Sequence, residues 1–261
     1  MLALLLGCGN VQNIRTVDAV AGKAESANFK FMTFNIRAAG GMLNPVANPD
    51  IFEETRESLT KIAAVIDFTD PDITGLQGVR GLHQAKFIAE KLNLNYVYAV
   101  HARENWWGLA VLSKYTIVNA RTKIINLGGR HGDRIALMCT LDIGQKNLRV
   151  INVDFAPENY TGQVEETMPL LSPLEDPAVL LGDFSRRAEY AEMADVRKEM
   201  TAACEAVMDY NGPCIDPPKG KVAYIFVDPK KFNVLDAAPV SMQPPETNAP
   251  SGARAALKLI N

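Results

Sequence analysis

Residues Ala178–Arg187, AVLLGDFSRR, carry the first chemistry in this chain. They read as a short apolar strand, Ala178–Leu181, then a glycine, a carboxylate and a sharp turn. A carboxylate at the C-terminal end of a buried strand is a common place for chemistry in α/β proteins. Asp183 and Ser185 equally suit the N-cap of a helix starting near Arg186. Two more oxygen-bearing residues lie near the ends of strand-like runs: Asn35 within Phe29–Ile36, and Asp154 within Leu148–Phe155. If the fold joins Asn35, Asp154 and Asp183, they would form an oxygen site for magnesium, manganese or calcium, because hard cations want oxygen ligands. His131 and Asp133, in the loop before Arg134, could add a donor or base; His131 equally fits a solvated loop. No Cys/His spacing points to zinc, and the chain has three histidines. Cys139 lies in an apolar run and reads as a buried thiol. Cys204 and Cys214 flank a turn-rich segment and could pair in an oxidising compartment.

The elements that must position these residues belong to ordinary globular sequence. Of 261 residues, 48% are hydrophobic and 22% charged, with a net charge of −3. There is no basic bias to favour nucleic acid. No apolar run reaches the length of a membrane-spanning helix. Met1–Gly7 is apolar and ends in Leu-Leu-Gly before Cys8. That run resembles the tail of a bacterial lipoprotein signal, in which Cys8 would be lipidated and membrane contact would come only through the lipid. The expected division is a signal remnant at 1–8, a polar tether at 9–28 and one domain at 29–261, held at the bacterial cell envelope.

Along that domain the periodicity predicts an opening strand, Phe29–Ile36, and a helix with Leu59, Ile62, Ala63 and Ile66 on one face. A strand at Ile73–Val79 follows, then a helix carrying Ala85, Ile88, Ala89 and Leu92. Five strand-like runs come next: Tyr96–Val100, Gly108–Ser113, Thr116–Ile125, Arg134–Leu141 and Leu148–Phe155. Thr161–Leu171 is weakly helical, and a helix is expected around Glu189–Val207. Strands at Val222–Val227 and Phe232–Leu235, a Pro-rich loop at Pro239–Pro250 and a strand near Ala255–Ile260 complete the chain. These elements suit two sheets packed face to face with helices outside.

The order of landmarks is also specific. Thr33-Phe34-Asn35-Ile36, Pro71-Asp72-Ile73 with Leu76-Gln77, Trp107 to Ser113, Gly182-Asp183-Phe184, Tyr224-Ile225-Phe226-Val227 and the serine-led end at Ser251 resemble, in that order, the endonuclease/exonuclease/phosphatase superfamily. The resemblance implies a four-layer α/β-β/α sandwich, an active site where strand ends of both sheets meet, phosphoester substrates and a divalent cation, usually magnesium. It carries Asn35 and Asp183 over as metal-site or catalytic residues. The other positions depart from the pattern. Leu-Gln-Glu is Leu76-Gln77-Gly78, which removes the main metal-ligating glutamate. The histidine after an asparagine–valine pair is Asp154, and the asparagine after Gly-Asp-Phe is Ser185. The aspartate before Tyr-Ile-Phe is Ala223, and Ser-Asp-His is Ser251-Gly252-Ala253.

The framework half of each motif is kept and most of the chemical half is gone. Asp154 also sets a negative charge where a donor would face phosphate. The leading expectation is a catalytically disabled member kept as a scaffold or binding module. The alternative is an active phosphoesterase with a remodelled site of Asp154, Asp183 and Asn35. A third possibility is partner binding through loops, with Trp106 and Trp107 as anchors, though Trp107 equally fits the core.

Overall fold

The computed structural model describes residues 27–36, 50–101, 107–126, 133–171, 176–185, 191–203, 223–241 and 251–260. Cys8, Trp106, His131, Arg186, Cys204 and Cys214 lie outside the described residues. So do the proposed signal, the tether up to residue 26 and any helix start at Arg186.

Alternating hydrophobicity at period two makes the strands and decides their faces. In β1 (Asn28–Asn35), Phe29 and Phe31 enter one apolar cluster while Met32 and Phe34 enter another. Helix α1 (Asp50–Thr69) crosses to β2 (Ile73–Arg80), which lies parallel to β1. Helix α2 (Leu82–Leu92) ends at Asn93, whose left-handed backbone lets its N–H and that of the next residue cap the last carbonyls. Then come β3 (Asn95–Val100), β4 (Trp107–Ser113), β5 (Thr116–Asn126), β6 (Arg134–Asp142) and β7 (Asn147–Asp154). Helix α3 (Tyr160–Thr167) makes a second parallel crossover, to β8 (Ala178–Asp183). Helix α4 (Ala194–Glu199), β9 (Thr201–Ala202), β10 (Ala223–Val227), β11 (Phe232–Ser241) and β12 (Ser251–Leu259) follow.

Two six-stranded mixed sheets result. Their orders are β11-β12-β1-β2-β4-β3 and β5-β6-β7-β8-β10-β9. Their facing sides share one core, including Phe31, Ile73, Val111, Leu137, Val150, Leu181, Ile225 and Leu257. The outer face of the first sheet buries Phe34, Leu76 and Leu112 with Ile62 and Ile66 of α1 and Ile88 of α2. The outer face of the second buries Ile151, Leu180 and Phe226 with Val164 of α3 and Val196 of α4. This is the expected four-layer sandwich.

Two expected elements are corrected. The helix foreseen around Glu189–Val207 is broken: the described residues form a 3-10 turn at Ala191–Met193 and the short α4, and Ala203 is again helical after an extended stretch. The chain then becomes extended at Met200, and Thr201–Ala202 pair with β10. The last strands are longer than foreseen. Pro239 and Val240, expected in a loop, belong to β11, which continues past a register shift between Val234 and Asp236. Strand β11 is an edge, where a proline need not donate to a neighbour.

Gly182 lets β8 reach the site. A Cβ there would meet the Val153 carbonyl oxygen at 2.1 Å. Gly182→Ala is therefore expected to loosen β8 from β7 and to lower stability by about 1–3 kcal/mol, the usual scale for overpacking. Chemical denaturation measures it.

Candidate functional site

The apolar alternation of the inter-sheet core gives way to polar residues at one end of the sandwich. Beyond Phe31 the inward positions of β1 are Thr33 and Asn35; beyond Val150 those of β7 are Asn152 and Asp154; beyond Leu181 that of β8 is Asp183. Register brings them level. Asn35 pairs with Gln77 and Ser251 in the first sheet, and Asp183 with Asp154 and Ala223 in the second. The site thus lies at the C-terminal ends of β1, β2, β7 and β8.

Asn35 and Asp183 meet across the two sheets. Asn35 Nδ2 donates to Asp183 Oδ2 at 2.9 Å, and both residues are 3% exposed. The other carboxylate oxygen, Oδ1, accepts from the Ser185 amide at 3.0 Å. Ser185 can present that amide because its backbone is left-handed, φ 52°, and its hydroxyl donates to the Phe155 carbonyl at 2.8 Å. A buried carboxylate is costly without such donors. Both oxygens of Asp183 are already served by the protein.

Asp154 has a different neighbour. Arg134 Nη1 lies 3.5 Å from Asp154 Oδ2 and 3.4 Å from His101 Nε2. The Ile135 amide donates to His101 Nδ1 at 3.3 Å. The sequence did not single out His101, because it lies one residue past β3 and meets β6 only through the fold. Burial first, and then the Arg134 charge, push its pKa down to about 3. The folded chain therefore holds His101 neutral, whereas the unfolded chain takes up a proton near pH 6.5. Stability is expected to fall as pH drops from 6.5 towards 3, by up to about 1.4 kcal/mol per pH unit from this residue. Urea titrations across that window should show the slope, and His101→Gln should remove it.

Beneath the site, Gln77 and Asn152 pin the sheets together. Gln77 Nε2 donates to Asn152 Oδ1 at 2.7 Å and to Thr33 Oγ1 at 2.9 Å. Asn152 Nδ2 donates to the Leu76 and Ala110 carbonyls at 3.0 and 2.9 Å. Both side chains are fully buried. Their motif positions were legible, but this bridging role was not; the inward parity of Asn152 in β7 was the available signal. Asn152→Ala is expected to cost about 2–4 kcal/mol, since it strands two buried carbonyls and the Gln77 amide. Thermal unfolding checks it.

The remaining positions offer no acidic ligand. Gly78 sits at a shift in the β2–β4 register with φ 62°. Ala223 and Ala253 are buried methyl side chains, and a Cβ on Gly252 would meet the Thr33 carbonyl oxygen at 1.9 Å. Among the described residues no group of three His, Cys, Asp or Glu could hold a metal ion. This donor set does not fit a hard cation. An amide N–H points at the one fully buried carboxylate of the set, and a guanidinium stands beside the other. Asp133, in the loop before Arg134 as foreseen, is buried there, and Trp107 is half-buried at the start of β4.

Comparison with known proteins bears on the whole chain. No curated protein matches it. Solved structures do. The catalytic domain of human Nocturnin, solved with a bound sulfate anion, superposes with a TM-score of 0.69 at 16% identity, covering 95% of this chain and 98% of that one. An endonuclease/exonuclease/phosphatase from Bacteroides vulgatus gives 0.67 at 16% identity, over 90% and 100%. A mannosyl-6-phosphatase from Bacteroides thetaiotaomicron gives 0.65 at 16% identity, over 89% and 100%. At such identities the likeness is one of fold. The sequence itself matches the model of the Endonuclease/Exonuclease/phosphatase family over residues 32–239. That match spans most of the chain and takes in both sheets and the strand ends where Asn35 meets Asp183, so the chain belongs to the endonuclease/exonuclease/phosphatase family.

Proposed function

We propose that this protein keeps the family's fold as a scaffold or binding module and has lost metal-dependent phosphoester hydrolysis. The observation that carries the reading is the lack of acidic partners for Asp183: its oxygens accept from Asn35 Nδ2 and the Ser185 amide, and Gly78, Ala223, Gly252 and Ala253 add no carboxylate beside it. Family members are generally divalent-metal dependent, and a hard cation needs those oxygens together with further carboxylates. The neighbouring positions are Gly78, Ala223, Gly252 and Ala253. Magnesium demands near-ideal geometry and dehydrates reluctantly, so two oxygen residues are a poor site. Asp154 stands where the family has a histidine, and Arg134 lies 3.5 Å from its carboxylate.

A second reading, an enzyme with a remodelled site, is favoured by one observation. Asp154 and Asp183 are register partners on adjacent parallel strands. Such strands lie about 4.8 Å apart, within joint reach of one ion. Arg134 opposes it, because its guanidinium stands 3.5 Å from Asp154 and supplies the positive charge a metal would bring.

Hydrolysis of a phosphodiester and a phosphomonoester reporter, each with magnesium and manganese, separates the readings. The expected result is a rate equal to that of Asp183→Ala. Metal-dependent turnover abolished by Asp183→Ala would establish the enzyme. The Leu-Leu-Gly-Cys run supports a lipid anchor at Cys8 on the bacterial envelope, and metabolic palmitate labelling that is lost in Cys8→Ser would establish it.

A further inference from the structure

The outer face of the second sheet carries a feature with no part in the strand-end site. Register places Asn119 of β5 level with Thr140 of β6 and Arg149 of β7. The next inward–outward repeat places Arg121 level with Met138 and Ile151. Residues opposite one another on paired strands share a face, and Met138 and Ile151 fix that face as the outer one. These side chains line a pocket of about 180 Å³.

Two cations share this pocket. Arg149 is half-buried, and its Nη2 donates to the Leu170 carbonyl at 2.6 Å, which fixes the side chain over the sheet. Burial and the neighbouring Arg121 charge both weigh against its charged form, and Asp176 only partly offsets them. Among the described residues neither guanidinium has an ion pair within 4.0 Å. On α3, Glu166 pairs with Lys123 at 2.8 Å. Two neighbouring guanidiniums offset only in part by Asp176 are relieved by an anion, and charge-assisted bonds to it are the stronger kind.

We propose that Arg121 and Arg149, with the Thr140 hydroxyl and the Asn119 amide, bind a tetrahedral oxyanion: phosphate or the phosphate end of a small phosphomonoester. The arginines come from β5 and β7, on either side of β6. A planar carboxylate serves one guanidinium fork, whereas a tetrahedral anion has oxygens for both. Met138 and Ile151 floor the pocket and lower the local dielectric, which strengthens the contacts. The volume is below the usual range of ~300–1,000 Å³ for drug-sized ligands and suits a phosphate group.

Calorimetric titration of the whole chain with inorganic phosphate, and separately with glycerol phosphate, tests this at low ionic strength matched with chloride. Saturable binding of one equivalent is expected, weakened at least tenfold in Arg121→Gln. Arg121 is exposed and outside the core, so this variant keeps the fold, and circular dichroism melting verifies that. Arg149→Lys should weaken binding as well, because a point charge replaces the fork. Tighter inorganic phosphate marks a free-anion site, and tighter glycerol phosphate marks an ester site. Lack of saturation, equal competition by chloride, or unchanged affinity in Arg121→Gln would overturn the proposal. None of these outcomes depends on Asp183, so the proposal stands or falls apart from the strand-end reading.

Discussion

Phe184→Ala is expected to lower the unfolding free energy by about 3–5 kcal/mol, the range for truncating a buried aromatic to alanine. Phe184 is fully buried directly after Asp183. Its ring lies 5.2 Å from Phe155, 5.2 Å from Phe226 and 5.9 Å from Tyr224, each at a steep angle. Edge-to-face aromatic pairs add about 0.5–1.5 kcal/mol beyond area burial. The loss is large because three rings surround the vacated space and none can close it alone. Phe184→Leu, which keeps most of the volume, should cost much less. Equilibrium urea unfolding of both variants measures the difference, and a Phe184→Ala loss under about 1 kcal/mol would contradict the packing described.

Gly252→Asp, which restores the carboxylate of the family's Ser-Asp-His, is expected to destabilise the chain rather than rebuild a metal site. A Cβ at this position would meet the Thr33 carbonyl oxygen at 1.9 Å and the Phe34 Cα at 2.8 Å. Both are backbone atoms, so no rotamer change relieves the clash. Strand β12 would have to part from β1, to which it is paired from Asn28↔Lys258 to Asn35↔Ser251. At least ~1–3 kcal/mol should be lost, as in other overpacked sites. Gly252→Ala should lose a similar amount, which assigns the effect to bulk rather than charge. Gly78→Glu, the other restoration, meets a φ of 62° and should cost about 1–2 kcal/mol of backbone strain. Denaturation midpoints of the three variants order them. A Gly252→Asp protein as stable as the parent would show that β12 yields easily, and would reopen the site to a metal.

Legibility in the sequence followed the range of the interaction. Strand β1 and helix α2 announced themselves because alternation and a 3.6-residue period are local. Helix α4 did not, because its end is set at Met200 by the pairing of β9 with β10. The far half of β11 was hidden by Pro239, a poor strand residue unless the strand is an edge. The approach of Asn35 and Asp183 could be expected only from the resemblance, since 148 residues separate them. The contact of His101 with Arg134 and of Arg134 with Asp154 joins β3's end, β6 and β7, and nothing local to any of them signals it.

The most direct measurement is calorimetric titration of the protein with magnesium, manganese and calcium, alongside Asp183→Ala. No saturable heat is expected from the parent that the variant lacks, because Gly78, Ala223, Gly252 and Ala253 supply none of the further carboxylates a hard cation needs beside Asp183. A stoichiometric metal isotherm in the parent that vanishes in Asp183→Ala would contradict it and make the strand ends a working metal site.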